Sequence, residues 1–271
     1  MKRELITPLF LFLFFLPMAG QSCESGKPSG CTSRQERMLE NARRFIGKPY
    51  VGGVLEKTPE QLVVETDSVD CLSLVEYVLA LTFADEKGNF SRSFEEILQQ
   101  IRYRNGTIND YTDRLHYTLE WKLENCENGL LTDVTAQCSG AIKTKKKIDF
   151  MSTQANSYKQ LAKNPLFISK IRTVEEQLSQ TSFHYIPCEA IASCEKNIHP
   201  GDIILFTTTI TGLDIAHLGI ATTDKNGNIT VIHASSDAKR VIVNPEPLSA
   251  YCEKMKRTNG IIVLRINEAT H

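Results

Sequence analysis

One cysteine and two histidines provide the residue types that a covalent hydrolase requires. Cys71 directly follows Asp70 and opens the apolar run 71–84, which predicts a central buried helix. The positive end of a helix stabilises a thiolate, the form of cysteine that attacks carbonyl groups. Asp70 is placed to cap the helix, but its negative charge opposes a fall in the thiol pKa, so a nearby base is required. A buried structural cysteine is the alternative interpretation.

The two histidines lie on two predicted strands that are joined by a hairpin turn. The intervening segment 224–228 suits a three-residue loop, and this loop fixes the register of the strands. In that register His233 faces Gly219. Two positions further along, His217 faces Ser235, so all four side-chain positions share one face of the hairpin. The two imidazoles then lie diagonally opposite each other, although a strand histidine can also be purely structural.

A cysteine, then a histidine, then a polar orienting residue is the chain order of papain-like catalysis. In that chemistry the base takes the thiol proton, and the third residue fixes the tautomer of the base. The same residues can instead ligate zinc with one open position, but the sequence lacks the C-x-x-C and H-E-x-x-H spacings of many zinc sites. We therefore expect no metal and no cofactor. The sequence also lacks a G-x-S-x-G elbow and a phosphate-binding glycine loop, which argues against serine hydrolases and nucleotide enzymes.

Composition and element order indicate the kind of fold that positions these residues. The chain has 271 residues, of which 41% are hydrophobic and 23% charged, and its formal charge of −1 gives no electrostatic attraction for nucleic acid or anionic lipid. A Ser33-x-x-Glu36 capping box starts the first helix. Helices come early and strands late, which predicts an α+β fold. The further predicted helices are 93–103, 112–124, 157–163, 169–180 and 248–257, and the predicted strands are 203–209, 217–223, 229–235 and 261–266.

Residues 1–22 are typical of an export signal, with a charged start and an apolar run too short to span a bilayer. We expect a periplasmic protein with a flexible leader at 23–32 and a single domain at 33–271. Lipidation of Cys23 and simple cleavage before it remain alternatives, and a lipid on Cys23 is the only membrane contact expected.

In an exported protein the remaining cysteines lie in an oxidising compartment, where disulfides form. Cys126 with Cys138, and Cys188 with Cys194, are plausible local pairs because each pair flanks a short loop. The sequence does not fix the pairing of these residues, nor of Cys31 and Cys252.

Several short motifs occur in the order typical of the NlpC-type cell-wall cysteine peptidases. They are Gly47–Gly53, Asp70–Cys71, Pro200–Ile203, His217–Ile220 and Ile232–Ser235. The chain resembles more closely one branch, the N-acetylmuramoyl-L-alanine amidase-like family of exported Gram-negative proteins. The branch-level resemblance includes Arg114–Tyr117, Phe150–Ser152 and Gly212–Asp214, and the whole resemblance covers residues 36–266.

This resemblance implies that Cys71 is the nucleophile, His217 the base and His233 the orienting residue. It implies a papain-like α+β core with a helical insertion at about 90–185. It also implies hydrolysis of the bond between N-acetylmuramic acid and L-alanine in soluble anhydro-muropeptides. The expected partners are therefore peptidoglycan fragments, and we expect a monomer.

The sequence departs from the NlpC-type pattern in two features, and other functions are therefore kept as alternatives. Leu72-Ser73 stands where the NlpC-type motif has Ser-Gly, and 146 residues separate Cys71 from His217. Both weaken a transfer of the usual NlpC-type bond preference, the cut after D-glutamate. A γ-D-glutamyl-diaminopimelate endopeptidase is nevertheless the alternative enzyme, and a non-catalytic muropeptide-binding protein is the alternative of another class.

The predicted helix 112–124 offers a candidate sugar-binding face. Arg114, Tyr117 and Trp121 fall at helical positions i, i+3 and i+7, where an aromatic ring can stack on a sugar and the arginine can meet a carboxylate or carbonyl. His116, in the same motif, is a further candidate for substrate binding. The alternative is that Trp121 belongs to the core and Arg114 to a surface ion pair.

Two further residues are candidates because of their predicted closeness to the catalytic residues. Tyr50 can assist the backbone N–H of Cys71 in holding an oxyanion, or it can be a packed turn residue. Ser235, opposite His217 in the hairpin, is a candidate for substrate binding.

Overall fold

An antiparallel sheet of eight strands forms the centre of the computed structural model, which describes residues 33–84 and 92–268. The predicted signal peptide, leader and Cys23 lie outside the described residues. In chain order the strands are β1 Leu131–Asp133, β2 Ile142–Thr144, β3 Phe183–Pro187, β4 Ile203–Thr208, β5 Ile215–Thr223, β6 Ile229–Ser235, β7 Arg240–Val243 and β8 Thr258–Ile266. The order across the sheet is β2-β3-β8-β4-β5-β6-β7, and β1 also pairs with β8.

Eight α-helices accompany the sheet in the described part of the chain, which confirms the α+β class. They are α1 Arg34–Arg44, α2 Cys71–Ala84, α3 Phe94–Arg102, α4 Thr118–Glu127, α5 Phe150–Thr153, α6 Pro165–Gln180, α7 Ile191–Cys194 and α8 Leu248–Lys254. The capping box predicted at Ser33 and Glu36 is present at the start of α1. None of the described helices is long and apolar enough to cross a membrane.

Helix α2 covers the predicted range, and its burial explains the sequence pattern. A helix that is apolar nearly all round must be enclosed on all sides. Residues 74–80 of α2 are all fully or almost fully buried. The helix therefore holds its first residue, Cys71, in a fixed position against the sheet.

The hairpin formed by β5 and β6 has the predicted register. Ala221 pairs with Val231, and the backbone N–H of Asp224 donates to Asn228 O at 2.9 Å. Gly227 adopts the left-handed conformation at φ 84°, as the three-residue loop requires. This register places the two predicted catalytic histidines on one face of the sheet.

The two faces of the sheet pack against different layers. Alternate residues of β4 show the division: Ile203 and Leu205 join the larger apolar cluster with α2, whereas Ile204 and Phe206 join a smaller cluster with α8. Cys71 packs with the larger cluster, whereas the rings of the two histidines contact Phe206 and Tyr251 of the smaller one.

Two predicted helices differ from the structure. The helix predicted at 112–124 begins only at Thr118, because Arg114 pairs with Tyr103 in an extended bridge and the carboxylate of Asp214 accepts the backbone N–H of Leu119 at 2.7 Å. In the segment 157–163, Ser157 ends a short 3₁₀ turn and the residues after it form a bend and turns in place of a helix.

Four strands, β1, β2, β3 and β7, were not predicted. They are three to five residues long and lie at or near the sheet edges, where little hydrophobic periodicity develops. The segment 90–185, predicted as a helical insertion, therefore contains strands as well as helices.

The disulfides are long-range, and both predicted local pairs are wrong. Cys138 pairs with Cys194, and Cys188 pairs with Cys252. The Cα atoms lie 5.5 and 5.6 Å apart, within the range of disulfides, because the sheet brings distant segments together. Cys126 is a free thiol, as is Cys71.

Candidate active site

The thiol of Cys71 lies at the first residue of α2, facing the strand that carries His217. The backbone N–H groups of Leu218, Cys71 and Leu72 interact with the sulfur and lower its pKa. Burial and, after it, the charge of Asp70 raise the pKa more strongly, to about 12. Cys71 is therefore a neutral thiol in the resting protein, and the helix terminus alone does not make it a thiolate.

Asp70 caps α2, as the sequence predicted. Its carboxylate accepts the backbone N–H of Ser73 at 2.8 Å, while its own backbone N–H donates to the hydroxyl of Ser73 at 2.9 Å. This reciprocal pair of hydrogen bonds fixes the first turn of the helix and with it the backbone of Cys71.

The two histidines form a direct hydrogen bond. His217 Nε2 and His233 Nδ1 lie 2.7 Å apart, and the two rings are nearly perpendicular. Burial, reinforced by His233, lowers the pKa of His217 to about 3. Burial also lowers the pKa of His233 to about 4, against the opposing effect of Asp237. Both imidazoles are neutral at physiological pH.

Because both rings are neutral, His217 can donate a proton from only one of its nitrogens. A neutral imidazole has one N–H donor and one acceptor nitrogen. When His217 Nε2 donates to His233, its Nδ1 carries a lone pair that can take the thiol proton. A base role for His217 requires this tautomer.

Two aromatic rings enclose the histidine pair. Phe206 lies 5.7 Å from the ring of His217, and Tyr251 lies 5.3 Å from the ring of His233. Burial raises the pKa of Tyr251 to about 12, and the charges of Asp237 and Cys71 add to the effect. The sequence analysis missed Tyr251. No local pattern marks it, because it reaches the site only through the packing of α8 on the sheet.

Tyr50 lies close to Cys71, as predicted. It forms an isolated bridge with Val69, and its backbone N–H donates to Lys239 O at 2.9 Å. Burial, followed by the charges of Cys71 and Asp70, raises the pKa of its phenol. Tyr50 therefore shares the local electrostatic environment of the thiol.

The predicted sugar-binding face does not exist. Arg114 precedes α4 instead of lying on it, and its buried side chain pairs with Glu56 at 2.8 Å and Glu60 at 3.3 Å. Trp121 is fully buried in the core. A ring with no exposed surface cannot stack on a sugar, so Trp121 is a core residue.

The other three substrate-binding candidates make local contacts. The buried hydroxyl of Tyr117 donates to Glu175 at 2.7 Å and accepts the backbone N–H of Met151 at 2.8 Å. His116 Nε2 contacts Tyr111 O at 2.8 Å, which ties its ring to the insertion. Ser235 ends β6 and accepts the backbone N–H of Ala238 at 3.1 Å, in the turn that follows the strand.

The structure thus separates the predicted site residues into two groups. Cys71, Asp70 and Tyr50 lie together, beside β5, the strand that carries His217. In the 114–121 segment, His116 and Tyr117 contact other parts of the insertion, whereas Arg114 pairs with Glu56 and Glu60. Within the described ranges, no group of three His, Cys, Asp or Glu side chains is placed to hold a metal ion.

Comparison with a protein-family model decides the family. The model of N-acetylmuramoyl-L-alanine amidase-like proteins matches residues 40–261, which is most of the chain. The chain belongs to the N-acetylmuramoyl-L-alanine amidase-like family. No curated protein is detectably similar to it.

Several solved structures are similar to this member of the amidase-like family, and one of those compared below is named an amidase. An N-acetylmuramoyl-L-alanine amidase from Bacteroides uniformis is 40% identical, covers 86% of this chain and 99% of its own, and superposes with a TM-score of 0.81. A Bacteroides fragilis protein with the provisional name xylanase is 38% identical, covers 84% of this chain and 100% of its own, and has a TM-score of 0.79. A Legionella pneumophila protein at 24% identity covers 88% of this chain and 90% of its own, with a TM-score of 0.67, and supports the fold alone.

Proposed function

We propose that this protein is a cysteine-dependent amidase that hydrolyses the bond between N-acetylmuramic acid and L-alanine in muropeptides. One observation carries the proposal: the thiol of Cys71, which opens a buried helix, accepts the backbone N–H of Leu218, and the neighbouring His217 is hydrogen-bonded to His233 at 2.7 Å. Membership of an amidase-like family supplies the bond type. The proposed core is papain-like, with Cys71 on its central helix and the base on its sheet.

In the proposed reaction, His217 Nδ1 takes the proton of the Cys71 thiol as the sulfur attacks the lactoyl carbonyl of the sugar. The Cys71 thiol and the His217 imidazole are both neutral before substrate binds. The proton therefore moves to His217 only when bound substrate is attacked. The backbone N–H of Cys71, assisted by the phenol of Tyr50, stabilises the oxyanion. His217 then protonates the departing nitrogen of L-alanine, and water hydrolyses the thioester.

His233 has a positioning role in this reaction. It accepts the His217 Nε2–H at its Nδ1 and so keeps the lone pair of His217 on Nδ1, toward the thiol. The imidazolium formed during attack keeps this hydrogen bond, and the bond strengthens as charge develops.

The proposed substrates are soluble anhydro-muropeptides, and the proposed location is the periplasm after export. The proposal includes a monomer whose N-terminus is either lipidated at Cys23 or cleaved before it.

Mass spectrometry of the products tests the proposed activity. A disaccharide-anhydro tetrapeptide is incubated with the protein, with the Cys71→Ala variant, and with Cys126→Ala, which removes the other free thiol of the described residues. Free disaccharide and intact stem peptide are expected with the first and third proteins only. Trimmed peptide still attached to the sugar would instead indicate an endopeptidase. Uncut substrate would remove the substrate assignment.

A further inference from the structure

The hydroxyl of Tyr251 is a polar group beside the proposed catalytic residues to which the proposed reaction gives no role. The ring of Tyr251 lies 5.3 Å from the ring of His233 and 5.6 Å from that of Phe206. Phe206 in turn lies 5.7 Å from the ring of His217. Helix α8 therefore places a phenol in the same cluster of rings as the proposed base and its hydrogen-bond partner.

This hydroxyl is free to bind a ligand. It makes no hydrogen bond within the described ranges, and because Tyr251 is only half-buried, its oxygen retains accessible surface. The hydroxyl of the buried Tyr117, in contrast, donates to Glu175. A tyrosine that packs its ring and keeps its O–H at the edge of a site can offer that O–H to a ligand.

The backbone of Tyr251 is held in place from both directions along the chain. Its N–H donates to Pro247 O at 2.9 Å, and its own O accepts the N–H of Met255 at 3.1 Å. The next residue, Cys252, is fully buried and forms a disulfide with Cys188. Because the backbone is fixed and the ring is packed, binding a ligand through the hydroxyl requires little ordering of the protein.

The phenol is a hydrogen-bond donor in the surroundings of the thiol. Burial is the main cause that raises the pKa of Tyr251 to about 12, so the phenol is protonated at neutral pH. The charge of Cys71 adds to this rise in pKa, which means that the hydroxyl and the sulfur share one electrostatic environment. A protonated phenol donates to oxygen acceptors such as amide carbonyls.

The proposed reaction, on which this inference rests, indicates which part of a muropeptide lies beside Tyr251. His217 protonates the nitrogen of L-alanine as it departs, so the histidine pair must face the leaving stem peptide. Tyr251 packs on His233, the second histidine of that pair. The first carbonyl beyond the departing nitrogen is that of L-alanine itself, which is linked to D-glutamate.

We propose that Tyr251 is a substrate-binding residue whose hydroxyl donates a hydrogen bond to the carbonyl oxygen of L-alanine in the stem peptide. The contact lies on the leaving-group side of the scissile bond. It favours sugars that carry a peptide over sugars that carry a simple amide, because only a peptide provides this acceptor.

Calorimetric titration of the Cys71→Ala protein with a disaccharide-anhydro tetrapeptide measures this contact without turnover. Tyr251→Phe is added because it removes only the hydroxyl and keeps the ring against His233. We expect it to weaken binding about five- to tenfold, the effect of one lost hydrogen bond. The matched control is Tyr185→Phe, on β3 and three strands away from β5, whose hydroxyl also makes no hydrogen bond in the described structure. It should leave the affinity unchanged.

An alkene analogue of the ligand tests which substrate atom the hydroxyl contacts. In this analogue a CH=CH group replaces the CO–NH group between L-alanine and D-glutamate. Tyr251→Phe should not change the affinity for the analogue, whereas a general loosening of the site would weaken both ligands alike. The missing amide N–H affects both proteins equally and cancels in the comparison.

The outcomes for this contact and for the proposed function are distinguishable. Unchanged affinity for the tetrapeptide in Tyr251→Phe, or an equal loss for both ligands, overturns the contact and leaves the amidase activity standing. Absence of tetrapeptide binding to the Cys71→Ala protein also overturns the contact, and analysis of the products then decides the activity separately. If Tyr251→Phe weakens binding as expected but the unaltered protein cuts no substrate, the contact is supported and the amidase function is overturned.

Discussion

The surroundings of Cys71 and the segment 114–121 present the same residue types but use them differently. Each contains a half-buried histidine whose pKa falls to about 3 and a tyrosine with a raised pKa. In the first region these groups face a thiol. In the second they bond to the backbone and side chains of the insertion. Residue type and burial alone therefore do not identify a catalytic group, and the decisive feature is the atom that it faces.

The largest difference between the regions should come from their histidines. His217→Ala removes the base and should lower kcat/KM about ten-thousandfold. His116→Ala should leave kcat/KM within about threefold while lowering stability, because its ring contacts only the insertion in the described structure. Steady-state assays of both variants on the same muropeptide make the comparison. Equal losses in the two variants would contradict the assignment of His217.

Trp121 should matter for stability and not for catalysis. Trp121→Ala removes a fully buried ring and should lower the free energy of unfolding by about 3–5 kcal/mol. Denaturant unfolding measures this loss. If KM instead rises and stability is unchanged, the ring binds substrate and the structural assignment is wrong.

Low pH should reduce the free energy of unfolding through the histidines of both regions. His116, His217 and His233 are neutral in the folded state, with pKa values of about 3, 3 and 4, but titrate near 6.5 in the unfolded chain. Below pH 6.5 the unfolded chain takes up protons that the folded chain excludes. Each histidine then contributes a loss of up to about 1.4 kcal/mol per pH unit until the folded pKa is reached.

Measuring the free energy of unfolding across this pH range tests whether stability falls as the pH falls. His116→Gln should flatten the slope by about a third, because it removes one of the three histidines that titrate in this range. Stability that does not fall between about pH 6.5 and pH 4.5 would show that these imidazoles are protonated in the folded protein.

The smallest expected effects are those of removing a hydroxyl from Tyr50 or from Tyr117. Tyr50→Phe removes a hydroxyl near the oxyanion and should lower kcat about tenfold with little change in stability. Tyr117→Phe removes the hydrogen bond to Glu175 and should cost about 1 kcal/mol of stability with kcat unchanged. The two variants are compared by kinetics and by thermal unfolding. A loss of kcat confined to Tyr117→Phe would contradict the proposed oxyanion role of Tyr50.

The parts of the molecule that the sequence predicts well depend on local patterns. Helix α2 follows from a continuous apolar run, and the diagonal placement of His217 and His233 follows from the length of one turn. The Asp70 cap follows from its place before the helix. In each case the information lies within about 20 consecutive residues.

The parts that the sequence does not predict depend on contacts between distant segments. Helix α4 starts late because Asp214, almost a hundred residues away, accepts its Leu119 N–H. The disulfides join residues 56 and 64 positions apart. Tyr251 reaches the histidine pair only through the packing of α8. Periodicity carries no information about such pairings, which are set by the assembled sheet.

The identity of the group that becomes attached to Cys71 tests the account most directly. The protein is mixed with a disaccharide-anhydro tetrapeptide, quenched in acid during turnover, digested, and the peptide containing Cys71 is analysed by mass spectrometry. The account predicts a thioester that carries the sugar through its lactoyl carbonyl and no amino acid. A thioester that carries sugar, L-alanine and D-glutamate would contradict the assigned bond, and turnover with no adduct on Cys71 but one elsewhere would contradict the assigned nucleophile.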